Sequence, residues 1–188
     1  MNSKNKNHIA KESADKLPLI AEVISLFEKI GQRMQEEDDE ERHWLLEHCK
    51  NPVLEALLKD MTVMELHVLD AIGQLEPVNG ITISKQFKIP RGSVSKITRR
   101  LIKRGLVRTE FLPKNKKEIL FCTTPLGKDL FKLHQALHRQ IEKGVTQFLQ
   151  KYTYDELNVI VRMLKDSLET SWVNFSPKCS LENSKQDK

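Results

Sequence analysis

Apolar residues recur at helical spacing along most of the chain. Leu17, Ile20, Ile24, Phe27, Ile30 and Met34 stand three or four apart, which describes one stripe of an amphipathic helix. Sixteen polar and charged residues precede it and predict a frayed tail. The acidic run Glu36 to Glu41 follows and predicts a solvated helix face or connector. A second helical pattern covers about Arg42 to Lys59 and is interrupted at Pro52. A third runs from Thr62 to about Leu75, with Thr62 as N-cap and Glu65 at the capping-box position, until Pro77 and Asn79-Gly80 stop it.

Beyond Gly80 the segments shorten. Thr82 to Lys88 predicts a short helix, and Pro90 to Arg104 a longer one with Gly105 as its C-cap. Leu106 to Phe111 and Glu118 to Thr123 are rich in Val, Ile, Leu, Phe and Thr and predict two strands. Leu112-Pro113-Lys114-Asn115-Lys116-Lys117 joins them as a basic hairpin tip. Pro125, at a tolerated first helical position, opens a helix whose stripe Leu130, His134, Leu137, His138, Ile141, Val145, Phe148 reaches about Gln150. A last helix, Tyr154 to about Val173, carries Leu157, Ile160, Val161, Leu164, Leu168 and Trp172 on one side, and a polar stretch from Ser176 ends the chain. The expected fold class is mainly α (α+β), a winged helix-turn-helix whose N- and C-terminal helices form a dimerisation body. The expected divisions are a tail at 1–16, body helices at 17–61, a winged domain at 62–127, body helices at 128–175 and a tail at 176–188.

Charge sharpens this picture. Between Ile81 and Lys117 lie twelve Lys/Arg and one acidic residue, Glu110, a net +11 in a chain whose total is +5, so the remainder is net −6. Such segregation is the electrostatic footprint of a polyanion binder. The basic block coincides with the helix, helix, hairpin order. In the second of these helices Val94, Ile97 and Leu101 form an anchoring stripe, and Gly92 allows close approach to DNA. Arg91, Ser93, Ser95 and Lys96 are the expected base-reading residues; Arg99, Arg100 and Lys103 are the expected phosphate contacts. Lys114, Asn115, Lys116 and Lys117 add a second basic element, a wing.

Other composition excludes more than it assigns. No run approaches the roughly 20 apolar residues of a membrane span, and the N-terminus has no signal-peptide core, so the expectation is a cytoplasmic protein with no membrane partner. Cys49, Cys122 and Cys179 are odd in number and form no CxxC pair, which predicts reduced thiols.

The sequences Lys88-Ile89-Pro90-Arg91-Gly92-Ser93-Val94-Ser95-Lys96, Leu101-Ile102-Lys103-Arg104-Gly105-Leu106-Val107-Arg108 and Thr123-Thr124-Pro125-Leu126-Gly127, in this order, resemble the MarR family of bacterial transcriptional regulators. The resemblance covers roughly Leu17 to Val173. It implies a winged helix-turn-helix, a homodimer of interlocking terminal helices, and a palindromic operator of double-stranded DNA. At the wing, many members carry an Asp-x-x-Asp-Arg-Arg run that Leu112 to Lys117 does not reproduce; lysine keeps the charge without arginine's bidentate fork.

His134 and His138, at i and i+4, place two imidazoles on one helix face, the spacing a zinc site takes from a single helix. Singly, such histidines also read as partly buried residues bonded to backbone or carboxylates. Within the MarR family, the zinc-uptake repressors look similar at these positions. That resemblance implies Zn²⁺ held by His43, His67, His134 and His138, with a further site at Cys49. The alternatives are a small organic effector or oxidation of Cys49. A metal-dependent hydrolase is disfavoured, because Gln135 stands where the His-Glu-x-x-His general base would be.

Overall fold

The computed structural model describes residues 3–112 and 115–173, with all their side chains except those of 3–14, 34–39, 112 and 115–117. Two compact units divide the chain, 1–140 and 141–188. The first opens with α1 (Ser3–His48), an unbroken helix of 46 residues. This corrects the tail expected at 1–16 over residues 3–16, while the run Glu36 to Glu41 is helical, one of the two forms expected of it. No residue in these stretches is a glycine or proline, and their Lys, Glu and Ala favour helix even without an apolar face. Pro18 is accommodated inside α1.

Asn51 caps α2 (Pro52–Asp60), accepting from the Val53 amide at 2.9 Å, and Pro52 takes the first position. The α3 helix (Val63–Leu75) starts on the expected Thr62–Glu65 capping box. Then come β1 (Val78–Asn79), α4 (Gly80–Gln86), α5 (Arg91–Lys103), β2 (Val107–Leu112) and β3 (Asn115–Thr123). The sheet order is β1-β3-β2, antiparallel throughout, with Val107 opposite Thr123, Phe111 opposite Ile119, and an irregularity between Phe111 and Leu112. Asn79, rather than Thr82, begins α4: its side chain accepts from the Thr82 amide at 2.8 Å. Gly105 adopts φ 71°, as a residue ending α5 in the left-handed region requires.

The Thr123-Thr124-Pro125-Leu126-Gly127 run docks α6 (Pro125–Leu149) on the turn after α5. The Thr124 hydroxyl donates to the Gly105 carbonyl at 2.6 Å and accepts from the Gly127 amide at 3.0 Å, while the Thr124 amide donates to the Leu106 carbonyl at 3.0 Å. A Cβ on Gly127 would stand 1.9 Å from that Leu106 oxygen, so only glycine permits this approach. The core of the first unit gathers Leu45, Leu54, Leu58, Leu66, Leu69, Ile72, Ile83, Val94, Leu101, Leu106 and Leu130 from α1 to α6. In the second unit α7 (Tyr154–Glu169) starts on a Thr153–Glu156 capping box and buries none of its residues. It ends four residues before the expected Val173. Cys179 and the tail from Ser176 lie outside the described residues.

Candidate DNA-reading surface and candidate metal centre

The α5 helix separates its faces sharply. Val94, Ile97, Thr98 and Leu101 are buried, while Arg91, Ser95, Lys96, Arg99, Arg100 and Lys103 are exposed and Ser93 is half-buried. Its N-cap, Pro90, makes no side-chain cap, so the first-turn amides are free of an internal side-chain acceptor, a disposition suited to phosphate. Arg99 lies back along the helix: Nε donates to the Ser95 carbonyl at 3.1 Å and Nη2 to Ser95 Oγ at 3.2 Å. The side chains expected to read bases and touch phosphates thus share one solvent-facing surface. Lys114 and the side chains of Asn115, Lys116 and Lys117 fall outside the described residues.

Two cations of the basic block are committed within the protein. Arg104 donates to the carbonyls of Leu57 at 3.3 Å and Asp60 at 3.1 Å, and approaches Glu65 Oε2 at 3.9 Å. Arg108 pairs with Glu110 across one residue of β2, and that bond holds the guanidinium above its ordinary range. Glu65 is 1% exposed, and Arg100 stands 3.7 Å from its Oε1. Glu76 fixes the base of the wing by accepting from the Thr123 amide at 2.5 Å and hydroxyl at 2.7 Å. Cys122 is buried beside these groups, and burial pushes its thiol up, as expected of a structural cysteine.

Three helices converge on the histidines. Glu41 of α1, His67 of α3 and His134 of α6 bring one ligand atom each to within 4.8 Å of one another; Asp70, His134 and His138 do the same. The rings of His134 and His138 are 4.4 Å apart, and those of His67 and His134 are 5.9 Å apart. Tetrahedral zinc, with bonds of about 2.0–2.1 Å, sets its donors roughly 3.3 Å apart, so small side-chain adjustments suffice. The donor set also passes a test on this structure alone. His134 Nε2 and Glu41 Oε2 are buried with no hydrogen-bond partner, a costly state that a cation would relieve.

Asp70 and Glu41 were missed in the sequence, and His43 stands outside both groups. Glu41 is four residues before the fully buried Leu45 and shares its inward face, whereas His43 turns outward and lines a shallow surface hollow with Glu40, Trp44 and Glu47. His43 thus lies apart from the rest of the expected set, and each of the two groups combines carboxylates with imidazoles. The signal for Asp70 was an acid inside the apolar run Val68-Leu69-Asp70-Ala71-Ile72. Burial pushes its carboxyl up, but hydrogen bonds from His134, Gln135 and Gln74 outweigh that and leave it below the ordinary carboxylate value. Burial and the neighbouring His134 lower His138, favouring its neutral, ligating form. Cys49 joins neither group; its Sγ donates to the Asn51 carbonyl at 3.4 Å.

A family model described as MarR matches residues 59–118. Two Bacillus subtilis proteins, the HTH-type transcriptional regulators YhjH (uncharacterized) and PchR, are each 35% identical over 112 residues, 60% of this chain. The chain spans 63% and 65% of their respective lengths. Among solved structures, the fold is similar to Lactococcus lactis ZitR, a zinc-responsive MarR family member, with TM-score 0.63, 21% identity, and coverage of 80% of this chain and 97% of that one. Wild-type ZitR in complex with DNA gives TM-score 0.61 and 22% identity, covering 79% and 95%.

Proposed function

We propose that this chain is a member of the MarR family through its winged helix-turn-helix, and that it is a DNA-binding transcriptional regulator, acting as a homodimer on a palindromic operator and responding to zinc. The proteins it matches are regulators rather than enzymes. The observation that carries the DNA reading is α5, whose cations and hydroxyls occupy the face opposite Val94, Ile97 and Leu101. Arg91, Ser93, Ser95 and Lys96 read base edges; Arg99, Arg100 and Lys103, with Lys114, Asn115, Lys116 and Lys117 of the wing, meet phosphates. Repression follows when the operator overlaps a promoter.

A second copy completes the molecule. Leu17, Leu19, Ile20, Ile24, Phe27 and Ile30 of α1 are 43–63% exposed, and α7 presents Val161, Leu164 and Leu168. Apolar faces of this extent favour burial against another copy of the same chain, at about 1.5–3 kcal/mol for each fully buried Leu, Ile or Phe.

Zinc fits the buried acceptors. Glu41, His67 and His134 would hold it, and His138, whose ring lies 4.4 Å from that of His134, would turn in as the fourth donor. Bound there, the ion supplies positive charge and a fixed coordination geometry. Glu41, His67 and His134 come from α1, α3 and α6, so their common engagement fixes the DNA-reading domain relative to the long helix. Coupling requires better zinc binding in the DNA-competent geometry, by about 1–3 kcal/mol in typical cases. Elemental analysis of the purified native protein tests the donor set: zinc is expected in the wild type and absent from His67→Ala, whose exposed ring can be removed without opening the core. Equal zinc in both proteins contradicts this donor set.

A further inference from the structure

We propose that Asp70 is the positioning residue of this centre: it accepts a hydrogen bond from the Nδ1–H of His134 and so leaves the Nε2 lone pair of that ring available as a ligand before any metal arrives. The inference rests on the metal reading above and deepens it. Asp70 is 7% exposed and His134 1%, and Asp70 Oδ1 lies 3.3 Å from His134 Nδ1. An ionised carboxylate only accepts, so the ring nitrogen facing it carries the proton and the other carries the lone pair of the neutral imidazole. That other nitrogen, Nε2, is the buried atom without a hydrogen-bond partner.

Asp70 is itself held. Gln135 Nε2 donates to Oδ1 at 2.5 Å and Gln74 Nε2 to Oδ2 at 2.5 Å, so both carboxylate oxygens are occupied by donors. Using Asp70 as a ligand would cost these bonds, whereas using it to orient His134 keeps them all. This selects Glu41, His67 and His134, rather than the group containing Asp70, as the set served by the free nitrogen. It also assigns a purpose to Gln135, which occupies the general-base position of a peptidase motif: it anchors the anchor. Asp70 lies on α3, and His134 and Gln135 on α6, so these helices are joined without metal. What the ion adds is α1, through Glu41.

Long-range ¹⁵N–¹H correlation spectra of the metal-free full chain test this directly, since they report which ring nitrogen is protonated. His134 is expected as the Nδ1–H tautomer in the wild type and as Nε2–H or a mixture in Asp70→Asn. The wild type in the Nε2–H form would overturn the inference whatever zinc does. In zinc titrations Asp70→Asn should keep wild-type stoichiometry and four-coordinate cobalt spectra while losing about 10–100-fold in affinity. Lost coordination would make Asp70 a ligand, and unchanged affinity would make it purely structural; either overturns the proposal. A wild-type chain that shows the Nδ1–H tautomer yet takes up no zinc contradicts the metal reading and not the orientation of His134.

Discussion

Two arginines four residues apart, Arg100 near the end of α5 and Arg104 just past it, do different work. Arg100 keeps 58% of its side chain exposed, whereas Arg104 is 22% exposed and spends its donors on the carbonyls of Leu57 and Asp60. Charge alone did not distinguish them in the sequence, because a count of Lys and Arg is blind to partners 44 and 47 residues away. Among the candidate metal-site residues, Glu41 failed to declare itself for a related reason. Glu41 belonged to a run read as solvent-facing, and only its helical register with Leu45 turns it inward. Substituting the two kinds of cation should separate them. Lys96→Ala is expected to weaken DNA binding and, where Lys96 meets phosphate, to reduce the salt slope by about 1, with little change in thermal stability. Arg104→Ala leaves carbonyls and Glu65 short of donors, and is expected to cost about 1–3 kcal/mol, read as a lowered denaturation midpoint.

At the scale of elements, the chain announced most of what it forms. Thr62 with Glu65, Gly105 and Pro125 are punctuation with a local mechanism and act where they were expected, and Pro52, expected to interrupt a helical pattern, instead opens α2 after its Asn51 cap. The length of α1 was not legible, because apolar periodicity finds the buried side of a helix and is silent where a helix has only polar neighbours. The inward course of Asp70 was equally hidden: its partners His134 and Gln135 lie 64 and 65 residues on, in another helix. One glycine holds the joint between α6 and the recognition helix. Gly127→Ala would drive a methyl into the backbone of Leu106 and is expected to destabilise the chain by about 1–3 kcal/mol, a fall of roughly 2–12 °C in Tm for a protein of this size. An unchanged Tm would mean that α6 docks elsewhere.

As a whole molecule the single chain leaves too much apolar surface in water. Exposed Ile24 and Phe27 on α1, and Leu164 and Leu168 on α7, were visible in the sequence as stripes, but which partner they meet was not, since a stripe specifies burial and not its source. Sedimentation should give about twice the 21.8 kDa chain mass, and Leu164→Glu should shift it toward the monomer and weaken operator binding together. A wild-type monomer that still bound a palindromic site tightly would contradict the dimer. No helix among the described residues is long and apolar enough to cross a membrane. Two recognition helices related by a dyad would then address half-sites about 34 Å apart, one turn of duplex. The most direct test of the central claim is fluorescence anisotropy of the full-length protein on a selected palindromic duplex, at fixed salt, with zinc and with chelator. The account predicts about 5–150-fold tighter binding with zinc, a difference abolished in His67→Ala. Equal affinity with zinc and with chelator in the wild type would contradict it.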